Sequence, residues 1–372
     1  SQVMQKKAVT NLARTKATFL LEGWVPTHLA SELQYELEKK TETSVLEIGE
    51  PKASEETPVM LHNTGASDAF EVVTKMYSTP KSDEIDPTPL LAPFFFAFFG
   101  ICLSDAGYGL VLSLLCYLGL RKLDLKGSGK QLVKLLFLGG IAAVFAGILM
   151  GSWLGDLFNI RPLWFNPLDD PIKMLVVSCV LGVIHIFTGM AIRAYRSIKE
   201  GKVLDAVFDQ GFWYVFLLGL ILLFLPGGGD AGKWMSIIGA AGLILTQGRH
   251  QKGIIKKLFS GLVSLYDVTG YFSDVLSYSR LLALGLATGV IASAINTMAG
   301  LISGGFFGTI VIFLVLLVGH TFNMAINALG AYVHTSRLQY IEYFSRFFEG
   351  GGRPYRPFSK TTKFIEVKEK EA

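Results

Sequence analysis

From residue 271 to residue 348 the chain is apolar almost throughout, with one soft interruption at Ser303-Gly304-Gly305. A bilayer span needs about 20 apolar residues, so this block reads as two membrane helices joined at a glycine turn. The first carries Ser277-Tyr278-Ser279-Arg280-Leu281-Leu282, and the second carries His334-Thr335-Ser336-Arg337-Leu338-Gln339. Each helix therefore holds one arginine inside a lipid-length segment. Such a residue is costly there and marks function by default. It is also a permanent cation, because a guanidinium keeps its proton at any workable pH.

The rest of the chain agrees with a membrane protein. Mean hydropathy is +0.45, and hydrophobic residues make up 51% against 17% charged. This is the profile of an integral membrane chain. The net charge of +4 gives no nucleic-acid footprint. Cys102, Cys116 and Cys179 all sit in apolar runs without disulfide or zinc spacing. The chain opens inside a helix-like run without a signal peptide, as the C-terminal part of a longer protein would.

Residues 1–87 are soluble in character. Residues 1–16 read as the tail of an amphipathic helix, 16–25 as a strand, 27–40 as a charged helix and 43–48 as a second strand. Residues 49–89, rich in Pro, Glu, Ser and Asp, read as an extended linker. Clear apolar runs follow at 132–158, 172–195, 207–225, 234–247, 271–301 and 306–344. The stretch 89–120 is either one long tilted helix or two short ones meeting at Ser104-Asp105-Ala106-Gly107-Tyr108-Gly109. Basic loops (121–134, 193–202, 249–257) alternate with loops poor in Lys and Arg (159–170, 226–232, 303–305). The basic side is thereby assigned to the cytoplasm, and with it the tail 346–372.

Polar residues on the last helix, His320, Asn323, Asn327, Gly330, His334 and Arg337, recur at steps of three and four. That spacing makes one polar stripe, which in lipid must face protein or water. The preceding helix offers Ser273, Ser277, Arg280, Leu284 and Thr288 at similar spacing. Glu342, Asp267 and Asp274 stand near the cytoplasmic ends of these helices, as channel-lining or interface charges. His185 and Asp156 read as structural or interfacial, and Asp105, Gly107 and Gly109 as packing residues. Lys126-Gly127-Ser128-Gly129-Lys130-Gln131 lacks the first glycine and the magnesium-binding hydroxyl of a phosphate loop. No catalytic centre, metal set or tightly bound cofactor is indicated.

Several motifs in order carry a resemblance: Gly23-Trp24-Val25-Pro26, the run from Asp86 to Phe95, Ser104-Asp105-Ala106-Gly107-Tyr108-Gly109, Ser277-Tyr278-Ser279-Arg280-Leu281 and the run from Phe348 to Phe358. The chain resembles the membrane stator subunit, subunit a or I, of the V-type and V/A-type rotary ATPases in its prokaryotic form. The resemblance implies an all-α polytopic bundle of about eight transmembrane helices, the last two long and tilted. A small α+β segment at the N-terminus would precede it, on the cytoplasmic side. Residues 1–87 would end the cytoplasmic arm, 88–345 form the ion-translocating domain and 346–372 the cytoplasmic tail. The count of eight makes 89–120 a hairpin.

The resemblance also implies a role. The stator would offer two half-channels to a rotating proteolipid ring in the cell membrane, beside peripheral- and central-stalk subunits, with ATP chemistry elsewhere and H⁺ or Na⁺ as the transported ion. Arg280 and Arg337 match the two arginines that engage the ring carboxylate. Ser273, Ser277, Asn323, Asn327, His334, Glu342, Asp267 and Asp274 would line the half-channels. The sequence departs from many relatives at Asn327, where those have an acid, and at Thr288, where they have a histidine. A stand-alone secondary cation transporter and a purely structural anchor are the alternatives; no internal repeat supports the first, and a buried arginine stripe gives the second nothing.

Overall fold

The structure is a computed structural model. It describes residues 13–15, 18–41, 43–52, 55–158, 160–249, 251, 253–302 and 305–357. It divides into two units: residues 1–62, 78–85 and 350–372 form one, and 63–77 with 86–349 form the other.

In the first unit a two-residue strand, Ala13–Arg14, pairs antiparallel with Phe19–Leu20. A 3₁₀ turn, Thr27–Leu29, leads into helix α1, Ala30–Lys40. The strand expected over 16–25 is thus reduced to two residues, and its partner is the preceding segment. The second strand expected at 43–48 does not form; Val45 there is 89% exposed. Leu46 and Ile48 are exposed as well, and a strand whose apolar side chains are left uncovered has little to stabilise it. The helix tail expected at 1–16 lies largely outside the described residues. The glycine triplet Gly350-Gly351-Gly352 is held by backbone contacts: Gly352 N–H donates to the Thr79 carbonyl at 2.9 Å, and Val59 N–H to the Arg353 carbonyl at 2.8 Å. A methyl on Gly352 would lie 2.0 Å from the Pro80 carbonyl oxygen, which is why no larger residue fits.

The second unit is helical. The stretch read as a linker contains a 3₁₀ turn, Ser67–Phe70, and helix α2, Glu71–Tyr77. Ala69, Phe70, Val72 and Val73 are buried, and this apolar set overrides the polar composition of the surrounding residues. Helix α3, Thr88–Leu103, and helix α4, Ala106–Lys122, meet at Ser104, whose φ of 34° is left-handed. Residues 89–120 are therefore two helices and not one. Helix α5 is Gly127–Met150, α6 Pro171–Lys199, α7 Val203–Ala206, α8 Phe212–Phe224 and α9 Gly229–Thr246. Helices α10, Ile254–Leu265, α11, Val268–Ser277, and α12, Ser279–Gly300, follow in close succession; α13 is Phe306–Arg337, and α14 is the short turn Ser345–Phe347. The Ser303-Gly304-Gly305 turn lies mostly outside the described residues.

Among the described residues five helical stretches are long and apolar enough to cross a bilayer: Gly127–Met150, Pro171–Lys199, Val203–Phe224, Ile255–Gly300 and Phe306–Phe347. Helix α3 is apolar but has 16 residues, about 24 Å against a hydrocarbon core near 30 Å. It is the core of the unit. Leu91, Phe95, Phe98, Phe99, Cys102 and Leu103 on it are each at most 1% exposed. Helices α4 and α5 lie so close that a methyl on Gly147 would stand 2.1 Å from Ala106 N, and one on Gly109 2.6 Å from the Gly140 carbonyl. Helices α8 and α9 meet the same way at Gly219 and Gly239. Small residues at a seam are how helices associate where lipid removes the hydrophobic drive. Arg249, read as part of a basic loop, is held by Asp205 at 2.8 Å and Asp209 at 2.7 Å.

Candidate functional site: two polar regions among the membrane helices

The two arginines sit at opposite kinds of helix defect. Around Tyr278 the hydrogen bonding tightens to three-residue steps: Tyr278 N–H to the Val275 carbonyl at 3.2 Å, and Leu281 N–H to the Tyr278 carbonyl at 2.9 Å. Arg280 follows at once, as the second residue of α12. Arg337 is the last residue of α13, where the helix widens to a π-helical stretch, Leu338–Phe344. Such local changes of pitch are frequent at functional sites.

His185 of α6 joins the two defects. Its Nδ1 lies 2.8 Å from Tyr278 Oη and its Nε2 3.2 Å from Gln339 Oε1. Its ring stacks on Tyr343 at 4.1 Å between centroids. Of the two readings the sequence left for His185, structural or interfacial, its full burial and two hydrogen bonds fit the structural one.

Arg280 is half-buried, and its Nη1 lies 3.4 Å from Oε1 of the buried Glu342. Asp274 pairs with Arg346, whose guanidinium also lies over the Tyr271 ring at 4.1 Å. A cleft of about 680 Å³ opens beside them, and Arg193, Asp209, Asp267, Tyr271 and Arg346 are among its lining residues. Of the residues read from the sequence, Asp267, Asp274, Glu342 and Arg280 thus gather at one end. Ser277 is half-buried, donates to the Ser273 carbonyl at 3.1 Å and stands beside Glu342, whereas Ser273 is exposed.

Asn323 and Asn327 belong to a different cluster. Asn327 Nδ2 donates to Asn323 Oδ1 at 2.5 Å, and Asn323 Nδ2 donates to Tyr108 Oη at 2.9 Å. Tyr108 Oη lies 2.6 Å from His320 Nδ1, and His320 Nε2 lies 3.0 Å from Asn296 Oδ1. Asn296 Nδ2 reaches the exposed Asp156 carboxylate at 2.7 Å. Beneath this file the fully buried Asp105 accepts four bonds, from Tyr108 N, Leu154 N, Gly155 N and Ser152 Oγ at 2.7–3.0 Å. Asp105 is a packing residue, as expected, but one that works through hydrogen bonds.

The stripe on α13 does not keep to one face. Five steps of three and four residues advance 17 residues, so at 3.6 per turn the stripe winds back by about 100°. His320, Asn323 and Asn327 are accordingly buried, whereas His334 is half-buried and Arg337 is exposed. His334 Nδ1 is buried without a partner among the described residues. Tyr108 and Asn296 were not singled out from the sequence as channel residues. Tyr108 was visible inside the Ser104–Gly109 motif, but its partnership with α13 is a tertiary fact. Among the described residues no group of three or more His, Cys, Asp or Glu is arranged to hold a metal ion.

The sequence profile of the V-type ATPase 116kDa subunit family matches residues 2–160 and 268–360. The chain is 35% identical to the A-type ATP synthase subunit I of Methanocaldococcus jannaschii, over 96% of its own length and 57% of that protein. It is 34% identical to the A-type ATP synthase subunit I of Thermococcus kodakarensis, over 93% and 55%. With the V-type ATP synthase subunit I of Chlamydia trachomatis the identity is 26%, over 85% and 58%. The chain spans a little over half the length of these relatives.

Proposed function

Because the chain belongs to the V-type ATPase 116kDa subunit family, we propose that it is the ion-translocating stator portion of a rotary ATPase or ATP synthase. It faces a rotating proteolipid ring, and peripheral- and central-stalk subunits complete the assembly. In this reading it has no catalytic centre of its own. The short apolar helices α3, α4 and α9 cross the membrane together with the five longer stretches, which gives eight crossings. The basic loops, the N-terminal unit and the C-terminus lie on the cytoplasmic side.

The observation that carries this reading is the loose hold on Arg280. A charge-assisted N–H···O bond is normally 2.7–2.9 Å, and the contact to Glu342 is 3.4 Å. The half-exposed guanidinium is therefore free to exchange Glu342 for a carboxylate arriving on the ring. Two unit charges 4 Å apart interact by about 4 kcal/mol at an effective dielectric near 20. An attraction of that size favours release of a bound H⁺ or Na⁺ from the ring site, and the same charge repels a cation leaking between half-channels. Arg337, exposed on the other side of the winding stripe, offers a second fork. Asp267, Asp274 and Glu342, with the cleft at Arg346, form the cytoplasmic half-channel, and Asn323 and Asn327 belong to the opposite one.

The test is Arg280→Ala in the assembled, reconstituted complex. Coupled ion pumping is expected to vanish while assembly persists, and Arg280→Lys is expected to be severely impaired because an ammonium lacks the fork. Near-normal pumping by Arg280→Ala complexes overturns the assignment.

A further inference from the structure

Helix α10 is covered on one side only. It packs against α9 so tightly that a methyl on buried Gly261 would stand 2.1 Å from the Ile244 carbonyl oxygen. On the other side Ile255, Leu258, Phe259, Leu262 and Val263 are exposed. Ile255, Phe259 and Val263 follow at steps of four and form one row along the helix, and Lys256 and Ser260 form the next. With Gln251 these residues line a groove of about 470 Å³. The groove is graded along its length. One end carries the Gln251 amide and the Lys256 ammonium, and the other passes over the Phe259 ring to Val263.

Charge separates this end of the basic loop from its beginning. Arg249 is neutralised by Asp205 and Asp209. Lys256 and Lys257 are exposed, neither has an ion pair among the described residues, and α10 itself contains no acid. A lysine stem lies along apolar surface while its ammonium stays at the level of the headgroups. Basic side chains beside a membrane helix are drawn to anionic lipid.

We propose that the groove on α10 binds a phospholipid with an anionic headgroup. Lys256 and Lys257 hold the headgroup, and an acyl chain lies along Ile255, Phe259 and Val263. A protein partner fits the same surface less well. It would meet an apolar core with a polar rim around it, whereas here the polar groups stand along one edge and at one end, and the other edge continues into Leu258 and Leu262. At Tyr266 and Asp267 the backbone bonding tightens to three-residue steps and α10 passes into α11. Both residues line the cleft near Arg346, so a lipid seated on α10 steadies one rim of that cleft. The inference needs only that the chain lies in a bilayer, and it does not rest on the stator reading.

The test uses the full chain, with whatever subunits accompany it, in phosphatidylcholine vesicles. Phe259→Trp places an indole in the groove, and its fluorescence is read as the difference from the parent chain. Brominated phosphatidylglycerol and brominated phosphatidylcholine are then titrated in as quenchers. Each lysine beside an anionic surface is worth about fivefold, so phosphatidylglycerol is expected to quench at a mole fraction lower by on the order of tenfold. The double variant Lys256→Gln/Lys257→Gln, which alters exposed side chains alone, is expected to abolish that preference, and added salt to weaken it. Equal quenching by the two lipids with both lysines present overturns the proposal. So does a preference that survives the double variant. Absence of quenching by either lipid means that another protein covers α10 and overturns it as well. If Phe259→Trp does not fold, Val263→Trp reports from the same groove under the same criteria.

Discussion

The two polar regions of the helical unit are built on opposite rules. Around Asp105 the buried polar groups are matched: one carboxylate takes four donors, and the file above it runs without a break from Asn327 to Asp156. Around Arg280 they are not. Gln339 Nε2, Tyr343 Oη and Arg346 Nε are buried without a partner among the described residues, and Glu342 is met by Arg280 at 3.4 Å. Buried polar groups nearly always find a partner, so those of the second region take water or a group from outside the chain. The π-helical stretch is a reason for the difference, because five-residue bonding turns Gln339, Glu342 and Tyr343 out of the register an α-helix would give them. The first region satisfies its polar groups from within the chain. The second is a site that something else completes.

The contrast breaks or holds first at Asp105. In Asp105→Asn one oxygen becomes an NH₂ facing two donors, either Tyr108 N and Leu154 N or Gly155 N and Ser152 Oγ. Unpaired buried groups cost roughly 1–3 kcal/mol each, so a loss of about 3 kcal/mol is expected, read as a large fall in Tm in detergent. An unchanged Tm would mean that the carboxylate is not what closes this region.

A pair of glycine substitutions sharpens the same point. In Gly147→Ala the new methyl meets the Ala106 backbone nitrogen at 2.1 Å, and overpacking of this kind costs about 1–3 kcal/mol. Gly270 lies in α11 beside the cleft with nothing within 4 Å of the position a methyl would take. Gly270→Ala is expected to be stabilising by roughly 0.5–1 kcal/mol from helix propensity alone. Equal destabilisation at both positions would erase the distinction between a closed and an open end.

What the sequence shows of this molecule follows from which forces are local. The apolar runs announced the long helices, and a left-handed Ser104 ahead of capping Asp105 is what the Ser104–Gly109 motif encodes, so 89–120 divides there. Burial of 67–77 was hidden because Ala69, Phe70, Val72 and Val73 are few and stand among polar residues; their value comes from a neighbouring helix. Arg280, Glu342 and Asp274 were found because charge in an apolar run is conspicuous. Tyr108 and Asn296 were missed because a phenol or an amide is unremarkable until a partner more than a hundred residues away is known. The π-helical stretch left no signal, since Leu338–Phe344 has an ordinary helical composition.

Tyr343→Phe tests the open region at smaller scale. Its hydroxyl has no partner among the described residues, so if water satisfies it the substitution is expected to change stability by less than about 1 kcal/mol. A loss of about 2 kcal/mol or more would instead reveal a direct bond and place Tyr343 with the closed region.

The smallest effect belongs to a third cluster, outside both regions and near the start of α5. Asp68 receives Lys134 Nζ at 2.6 Å and Gln131 Nε2 at 2.9 Å, and Gln131 also reaches Glu71 at 3.0 Å. The Lys134 ammonium, then the Gln131 amide, hold the Asp68 carboxyl below the usual carboxylate range. A carboxyl with a depressed folded-state pKa contributes its stability in full above the unfolded value, about 3.9. The contribution is lost as pH falls through the folded value. Both side chains are about a third exposed, so the pair is worth about 0.5–1 kcal/mol at most. Asp68→Asn is therefore expected to lower Tm slightly and evenly from pH 7 down to about pH 5 and to converge on the wild type below the ordinary carboxylate range. A gap that widens on acidification would reverse the sign assigned to this pair. A gap as large as that of Asp105→Asn would show that matched hydrogen bonding counts as much at this half-exposed cluster as it does around buried Asp105.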